Sequence, residues 1–345
     1  MAGKNGIPVQ NLQRKAKKPG ELDELAKQYG GNHAGGWVSY LPPSWIPYVQ
    51  LARLSPPAGL FLIYFPHLFG LLHASIMQNS LPLEVLKAGT VMMLGSLFFS
   101  NAIHIWNDLI DAPIDKLVAR TRKRPIPRGA VSPLSAFIFA VTQAFGAALV
   151  LLYFLPVQGA LYAAPNMIPT AYYPWAKRHT QFAQVVLGIW LAWGVFMGSV
   201  FLGAMPYVVD FANAEFSMDK SATCLYFACV LWTVIYDTIY AHQDIEDDKK
   251  IGMKSLAVLF GDKTKPWLSG VLGAMILALS AAGQYGGLGL PFYCLSVIGS
   301  SFSLGAMITM VDLADSTSCW WWFRYGFWAT GALISTGLLL EYISV

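Results

Sequence analysis

Long apolar runs recur along this chain, and no other feature constrains its fold as tightly. A helix of about 20 apolar residues crosses the hydrocarbon core of a bilayer. Runs close to that length stand at 57–77, 86–106, 133–154, 157–175, 184–204, 222–243, 267–285, 289–311 and 322–343. In lipid every backbone N–H and C=O has to be bonded internally, so continuous runs of this length read as helices. The expectation is an all-α integral membrane protein with nine transmembrane helices. The fourth run is the least regular, because Pro165, Pro169 and Pro174 interrupt it; neighbouring helices can satisfy the carbonyls that prolines free. Only 12% of residues are charged, against about 25% in soluble domains.

Ahead of these runs the chain is polar. Residues 1–44 read as a disordered or loosely attached tail, and 45–345 as the membrane domain. The tail has no apolar segment of the kind a signal peptide needs. Glu21, Asp23 and Glu24 argue against an Arg-rich, acid-poor transit peptide. The four cysteines form no Cys-x-x-Cys pair and read as small hydrophobes. Gly194-x-x-x-Gly198 reads as a helix-packing site, and Trp320-Trp321-Trp322 as an interfacial anchor.

Charge sets the orientation. With the N-terminus inside, the loops after the second, fourth, sixth and eighth helices also lie inside. They hold Lys116, Arg120, Arg122, Lys123, Arg124 and Arg128; Lys177 and Arg178; and Lys249, Lys250, Lys254, Lys263 and Lys265. Outside fall Lys87 and Lys220. This asymmetry follows the positive-inside rule and puts the ends of the second and sixth helices on the cytoplasmic side. The basic residues serve these short loops, and nothing suggests a nucleic-acid partner.

Those two ends carry acid clusters where lipid-embedded carboxylates are costly and usually functional. In the first, Asn107, Asp111 and Asp115 fall at i, i+4 and i+8 on one helical face, with Asp108 at its border. Pro113 could end or kink that helix. In the second, Asp237, Tyr240, Asp244 and Asp248 share a face, while Glu246 and Asp247 point elsewhere, towards water. Like charges on one face call for a cation, and Mg²⁺ is typically bound by one or two carboxylates plus substrate phosphates. Asn107, Asp108, Asp111, Asp115, Asp244 and Asp248 are the candidate metal positions. Asp111, Asp115, Asp237, Tyr240 and Asp244 are the candidate catalytic residues. Arg53, Arg120, Arg124, Lys177 and Lys254 could complete a diphosphate site, or simply anchor the protein at the membrane surface. His104, one turn before Asp108, could tune that acid or just pack. The histidines show no zinc spacing, and there is no phosphate-binding glycine loop.

These residues carry a resemblance. Asn107-Asp108-x-x-Asp111-x-x-x-Asp115, the following Arg-Thr-Arg-Lys-Arg-Pro at 120–125, and Tyr173-Pro174-Trp-Ala-Lys177-Arg178 are similar to motifs of the UbiA superfamily of intramembrane aromatic prenyltransferases. The second cluster, Tyr236-Asp237-Thr-Ile-Tyr240-Ala-His-Gln-Asp244 with Asp247-Asp248 and Gly252-Met-Lys254-Ser255, resembles its 4-hydroxybenzoate branch. The likeness spans about residues 45 to 345. It implies a cavity open sideways to lipid and Mg²⁺ bridging both motifs to an isoprenyl diphosphate. It further implies metal and diphosphate roles for Asn107, Asp111, Asp115, Asp244 and Asp248, and diphosphate roles for Arg124, Lys177 and Arg53. Arg178 or Arg53 would hold an acceptor carboxylate. The stretch from Arg53 to His67 looks like fungal meroterpenoid-pathway enzymes, which join farnesyl or a similar group to a phenolic acid. That branch implies an endomembrane location. The runner-up is the mitochondrial ubiquinone-pathway enzyme acting on 4-hydroxybenzoate. Outside the family, an ion-coupled transporter is the main rival, though its acids should lie nearer the midplane. No obligate protein partner is implied.

Overall fold

The computed structural model describes residues 26–210, 213 and 215–344. Apart from a two-stranded antiparallel hairpin, β1 (Tyr207–Asp210) and β2 (Glu215–Met218), the regular structure is helical. The long helices are α2 (Ala58–Gln78), α3 (Pro82–Asp115), α4 (Pro133–Phe154), α5 (Gln158–His179), α8 (Lys220–Ala241), α11 (Thr264–Gly286) and α13 (Ser316–Ser344). Shorter helices are α1 (Ile46–Leu51), α6 (Ala183–Ala192), α7 (Gly194–Phe201), α9 (Ile245–Ile251), α10 (Leu256–Phe260) and α12 (Ser300–Met310), the last preceded by a π-helical stretch, Phe292–Gly299.

Among the described residues, seven helices are long and apolar enough to cross a bilayer. They match seven of the nine expected spans. The fourth and ninth expected spans are also helices, α5 of 22 residues and α13 of 29, but less apolar. In α5, three prolines, Lys177 and Arg178 dilute the run; in α13, Arg324 and Glu341 do so.

Burial sorts the helices. In the most apolar window of α4 only 11% is buried, against 72% for the span containing α8. The α4 helix is therefore peripheral, with Phe145, Leu149 and Leu152 on its outer face, and α8 is central. Around α8 the core is aromatic: Phe69, Trp232, Tyr236, Phe292, Phe323 and Phe327 are all buried. Glycine permits the closest crossing. A Cβ on Gly70 would lie 1.8 Å from the Val195 carbonyl oxygen, and one on Gly198 would lie 2.1 Å from that of His67. The expected packing role of Gly198 is thus met by backbone contact between α2 and α7.

Two local expectations change. Pro113 neither ends nor breaks α3, which runs on to Asp115. The second acid cluster is not one continuous helix: α8 stops at Ala241, a 3₁₀ turn covers His242–Asp244, and α9 follows until Gly252, at φ 75°, reverses the chain. The stretch read as a tail, residues 1–44, is described in part. Residues 1–25 lie outside the described residues, but Ala26 and Tyr29 are buried against the helices. Of the cysteines, Cys294 is exposed rather than buried.

Candidate active site

A cavity of about 130 Å³ lies where the ends of α3, α5, α8 and α9 meet the basic loop after α3. Its walls include Asn107, Asp111 and Asp115 from the first cluster and Asp237, Tyr240, Asp244 and Asp248 from the second. Arg53, Arg120, Arg124 and Lys177 also face it. Helical phase explains the first set, because an unbroken α3 presents every fourth residue to one side. In the second set the 3₁₀ turn shifts the phase, yet both sides of the turn still face the same space.

Arginines divide the carboxylates. Arg120 grips Asp244 with two nitrogens, Nε at 3.0 Å from Oδ1 and Nη2 at 2.6 Å from Oδ2, and its Nη1 donates to the Tyr240 hydroxyl at 2.9 Å. Arg124 Nη1 donates to Asp115 at 3.0 Å and to Asp108 at 3.1 Å. Arg53 Nη2 reaches Asp108 at 2.6 Å. Burial disfavours the Arg120 and Arg124 charges, but the facing carboxylates outweigh it and hold both guanidinium groups above their ordinary range. Asn107 Nδ2 donates to Asp111 at 3.2 Å, and Lys177 interacts electrostatically with Asp111, Asp237 and Asp248. The Lys254 N–H donates to the Lys177 carbonyl at 2.8 Å, fastening the loop after α9 to the end of α5.

Several expected site residues sit elsewhere. Asp108 does not line the cavity: it is fully buried as the shared counter-ion of Arg53 and Arg124, so its place is behind the wall. Arg178 also stands outside, with Nη2 donating to the Ile110 carbonyl at 2.8 Å and to Asp111 at 3.4 Å. These contacts fix its guanidinium beside Asp111. Lys254 is turned away, its Nζ donating to the His179 carbonyl at 3.3 Å. Asp247, read as facing water, accepts from the Ala119 N–H at 3.3 Å and ties the basic loop to α9. His104 lines the cavity but bonds Tyr29 and Ser100 instead of Asp108. Tyr29, Trp190 and Phe323 are wall residues that no motif announced.

The donor set suits a divalent cation that arrives with phosphate. Among the described residues no three His, Cys, Asp or Glu side chains are grouped closely enough to hold a metal by themselves. Mg²⁺ does not require that, since it takes one or two carboxylates and fills its sphere with water and phosphate oxygens. The buried Arg124 Nε has no hydrogen-bond partner, a donor left over for an anion.

Beyond this polar end the space continues. Ile63, Ile103, Thr170, Trp190 and Leu191 also border a second chamber of about 620 Å³, lined by α2 to α7 and almost wholly apolar. A charged head site opening into an apolar chamber fits an amphiphile with an anionic end.

Comparison with known proteins agrees. Residues 63–331 match the UbiA prenyltransferase family. The mitochondrial 4-hydroxybenzoate polyprenyltransferase of Schizosaccharomyces pombe is 34% identical over 308 residues, covering 89% of this chain and 83% of that protein. The DMOA farnesyltransferase nvfB of Aspergillus novofumigatus is 38% identical over 275 residues, covering 79% and 84%. An apo UbiA homologue from Aeropyrum pernix K1 shares the fold with a TM-score of 0.67 at 21% identity, over 81% of this chain and 97% of that one. A UbiA homologue from Archaeoglobus fulgidus bound to GPP and Mg²⁺ gives 0.56 at 17% identity, over 87% and 100%. The transporter reading falls with these relatives, and the chain belongs to the UbiA family as a multi-pass membrane prenyltransferase.

Proposed function

We propose that the protein transfers an isoprenyl group, farnesyl, from its diphosphate to an aromatic carbon of a phenolic acid, with Mg²⁺ as cofactor, in meroterpenoid secondary metabolism. The observation that carries this is the convergence of both acid motifs on a cavity that continues into an apolar chamber. The relative named a farnesyltransferase supports the donor, and the relative bound to GPP and Mg²⁺ supports the metal. Asn107, Asp111, Asp115, Asp244 and Asp248 would hold the ion. When bound, it supplies charge neutralisation to the diphosphate.

The chain's own residues supply the rest. Arg124, Lys177, Arg53 and Arg120 stabilise charge developing on the departing diphosphate as the C–O bond breaks. Tyr173, Tyr240 and Phe323, aromatic residues of the wall, would stabilise the allylic cation. Apolar walls keep water from it. An electron-rich ring carbon then forms the new C–C bond and the ring loses its proton. Asp237 and Tyr240 act at the reacting end of the cavity. Nine spans with the acid motifs on the cytoplasmic side, in an endomembrane, complete the reading. A second reading, 4-hydroxybenzoate polyprenyl transfer in mitochondria, is favoured by the S. pombe relative.

Membranes containing the protein, given isoprenyl diphosphates of several lengths and a panel of phenolic acids, decide between the two readings by mass spectrometry. A farnesylated phenolic acid, formed with Mg²⁺ and lost with EDTA, is expected. Long polyprenyl transfer to 4-hydroxybenzoate alone would select the second reading, and metal-independent product would reject the mechanism.

A further inference from the structure

The cavity already contains a phenol. Tyr29, from the segment ahead of α1, is 4% exposed and lines the cavity wall. Its oxygen lies 2.6 Å from His104 Nε2. The other ring nitrogen, Nδ1, lies 2.7 Å from the Ser100 carbonyl oxygen. A carbonyl only accepts, so Nδ1 carries the hydrogen and Nε2 presents a lone pair. The Tyr29 hydroxyl is therefore the donor.

The surroundings are shaped to this ring. It meets Tyr240 edge-on at 6.4 Å and lies tilted on Phe323 at 6.4 Å, with the Arg53 guanidinium 4.6 Å from its centroid. Gly59 makes the room: a Cβ there would fall 2.2 Å from the Tyr29 oxygen and 2.4 Å from His104 Cε1. One donor is left over. Arg53 Nε is buried without a hydrogen-bond partner beside Gly30, where an added Cβ would lie 2.8 Å from it. An unmatched buried donor costs ~1–3 kcal/mol, so the segment satisfies the imidazole and leaves the Arg53 Nε–H unmatched. A phenolic acid offers both a hydroxyl for the imidazole and a carboxylate for the guanidinium.

We propose that His104 Nε2 is the hydrogen-bond acceptor for the hydroxyl of the phenolic substrate, and that Tyr29 occupies this subsite as an internal phenol which the substrate displaces. The proposal rests on the phenolic-acid reading of the acceptor. A hydroxyl donating to imidazole enriches the ring carbons beside it, the carbons that attack. Tyr29 competes for the same lone pair and so weakens apparent acceptor affinity.

The test uses the full chain. In membranes, Tyr29→Phe should lower the acceptor KM at least threefold relative to the donor KM. His104→Phe should raise that ratio at least tenfold, and in the double variant the gain from Tyr29→Phe should vanish. A rise in acceptor KM for Tyr29→Phe, or no change for His104→Phe, overturns the proposal. A parallel arm measures equilibrium binding of 4-hydroxybenzoate to the purified protein in detergent, with geranyl diphosphate binding as the control for folding. Tighter phenol binding in Tyr29→Phe and weaker binding in His104→Phe, without any prenylated product, would uphold the subsite and reject the activity. Product formation with both variants unmoved would do the reverse. Absence of saturable 4-hydroxybenzoate binding to all three proteins overturns the subsite.

Discussion

Asp108 and Asp111 stand three residues apart and face different environments. Asp108 is fully buried between Arg53 and Arg124, and removing one partner of a buried ion pair costs about 3–5 kcal/mol. Asp108→Asn should therefore lower the melting temperature sharply, as thermal unfolding in detergent would show. Asp111 faces the cavity, with Asn107 and Arg178 bonded to it. Asp111→Asn is expected to cut kcat/KM at least 100-fold with little change in melting. Equal losses of stability in the two variants would contradict this division of labour. Arg53 adds a backbone signature, since its φ of 55° is uncommon for a residue with a side chain. Its ion pair with Asp108 and its stacking on Tyr29 hold that conformation in place.

Between helices, the α2–α7 crossing brings backbone against backbone at Gly70 and Gly198. A Cβ on Gly198 would lie 2.1 Å from a backbone oxygen that cannot swing away. Gly198→Leu should abolish the folded, monodisperse fraction on size-exclusion chromatography. Gly270, with nothing within 4 Å of its Cβ position, should accept alanine without loss. Helix continuity decides the site in a similar way. The first motif is presented by one unbroken helix, so its period survives Pro113. The second is interrupted by a 3₁₀ turn at His242–Asp244, yet its four cavity residues stay on the cavity side, with α9 tied to the basic loop where the Ala119 N–H donates to Asp247.

At the scale of the molecule, polarity is arranged as a gradient, from the carboxylate–arginine end to the apolar chamber lined by α2 to α7. Filling that chamber should shorten the preferred donor. Ala147 lines it, and Ala147→Trp is expected to lower kcat/KM for farnesyl diphosphate at least tenfold more than for dimethylallyl diphosphate, as a donor panel would measure. Equal loss for both donors would place the isoprenyl chain elsewhere. Metal removal acts at the opposite end: EDTA should stop turnover of every donor alike, and added Mg²⁺ should restore it.

The sequence by itself determined the helical membrane class, the places of seven spans, and the face of the first acid motif. These follow from period and run length, which are local properties of the chain. Only the tertiary structure decided which acids face the cavity and which are walled off, because the choice depends on partners distant in sequence. Arg53 and Arg124 lie 55 and 16 residues from Asp108. No local signal tells a border position from an inward one once those guanidinium groups arrive. Tyr29 belonged to a stretch too polar to read as anything but tail, yet it meets His104 across 75 residues. The phenol in the cavity exists because a distant backbone, unburdened by a side chain at Gly59, leaves space for it.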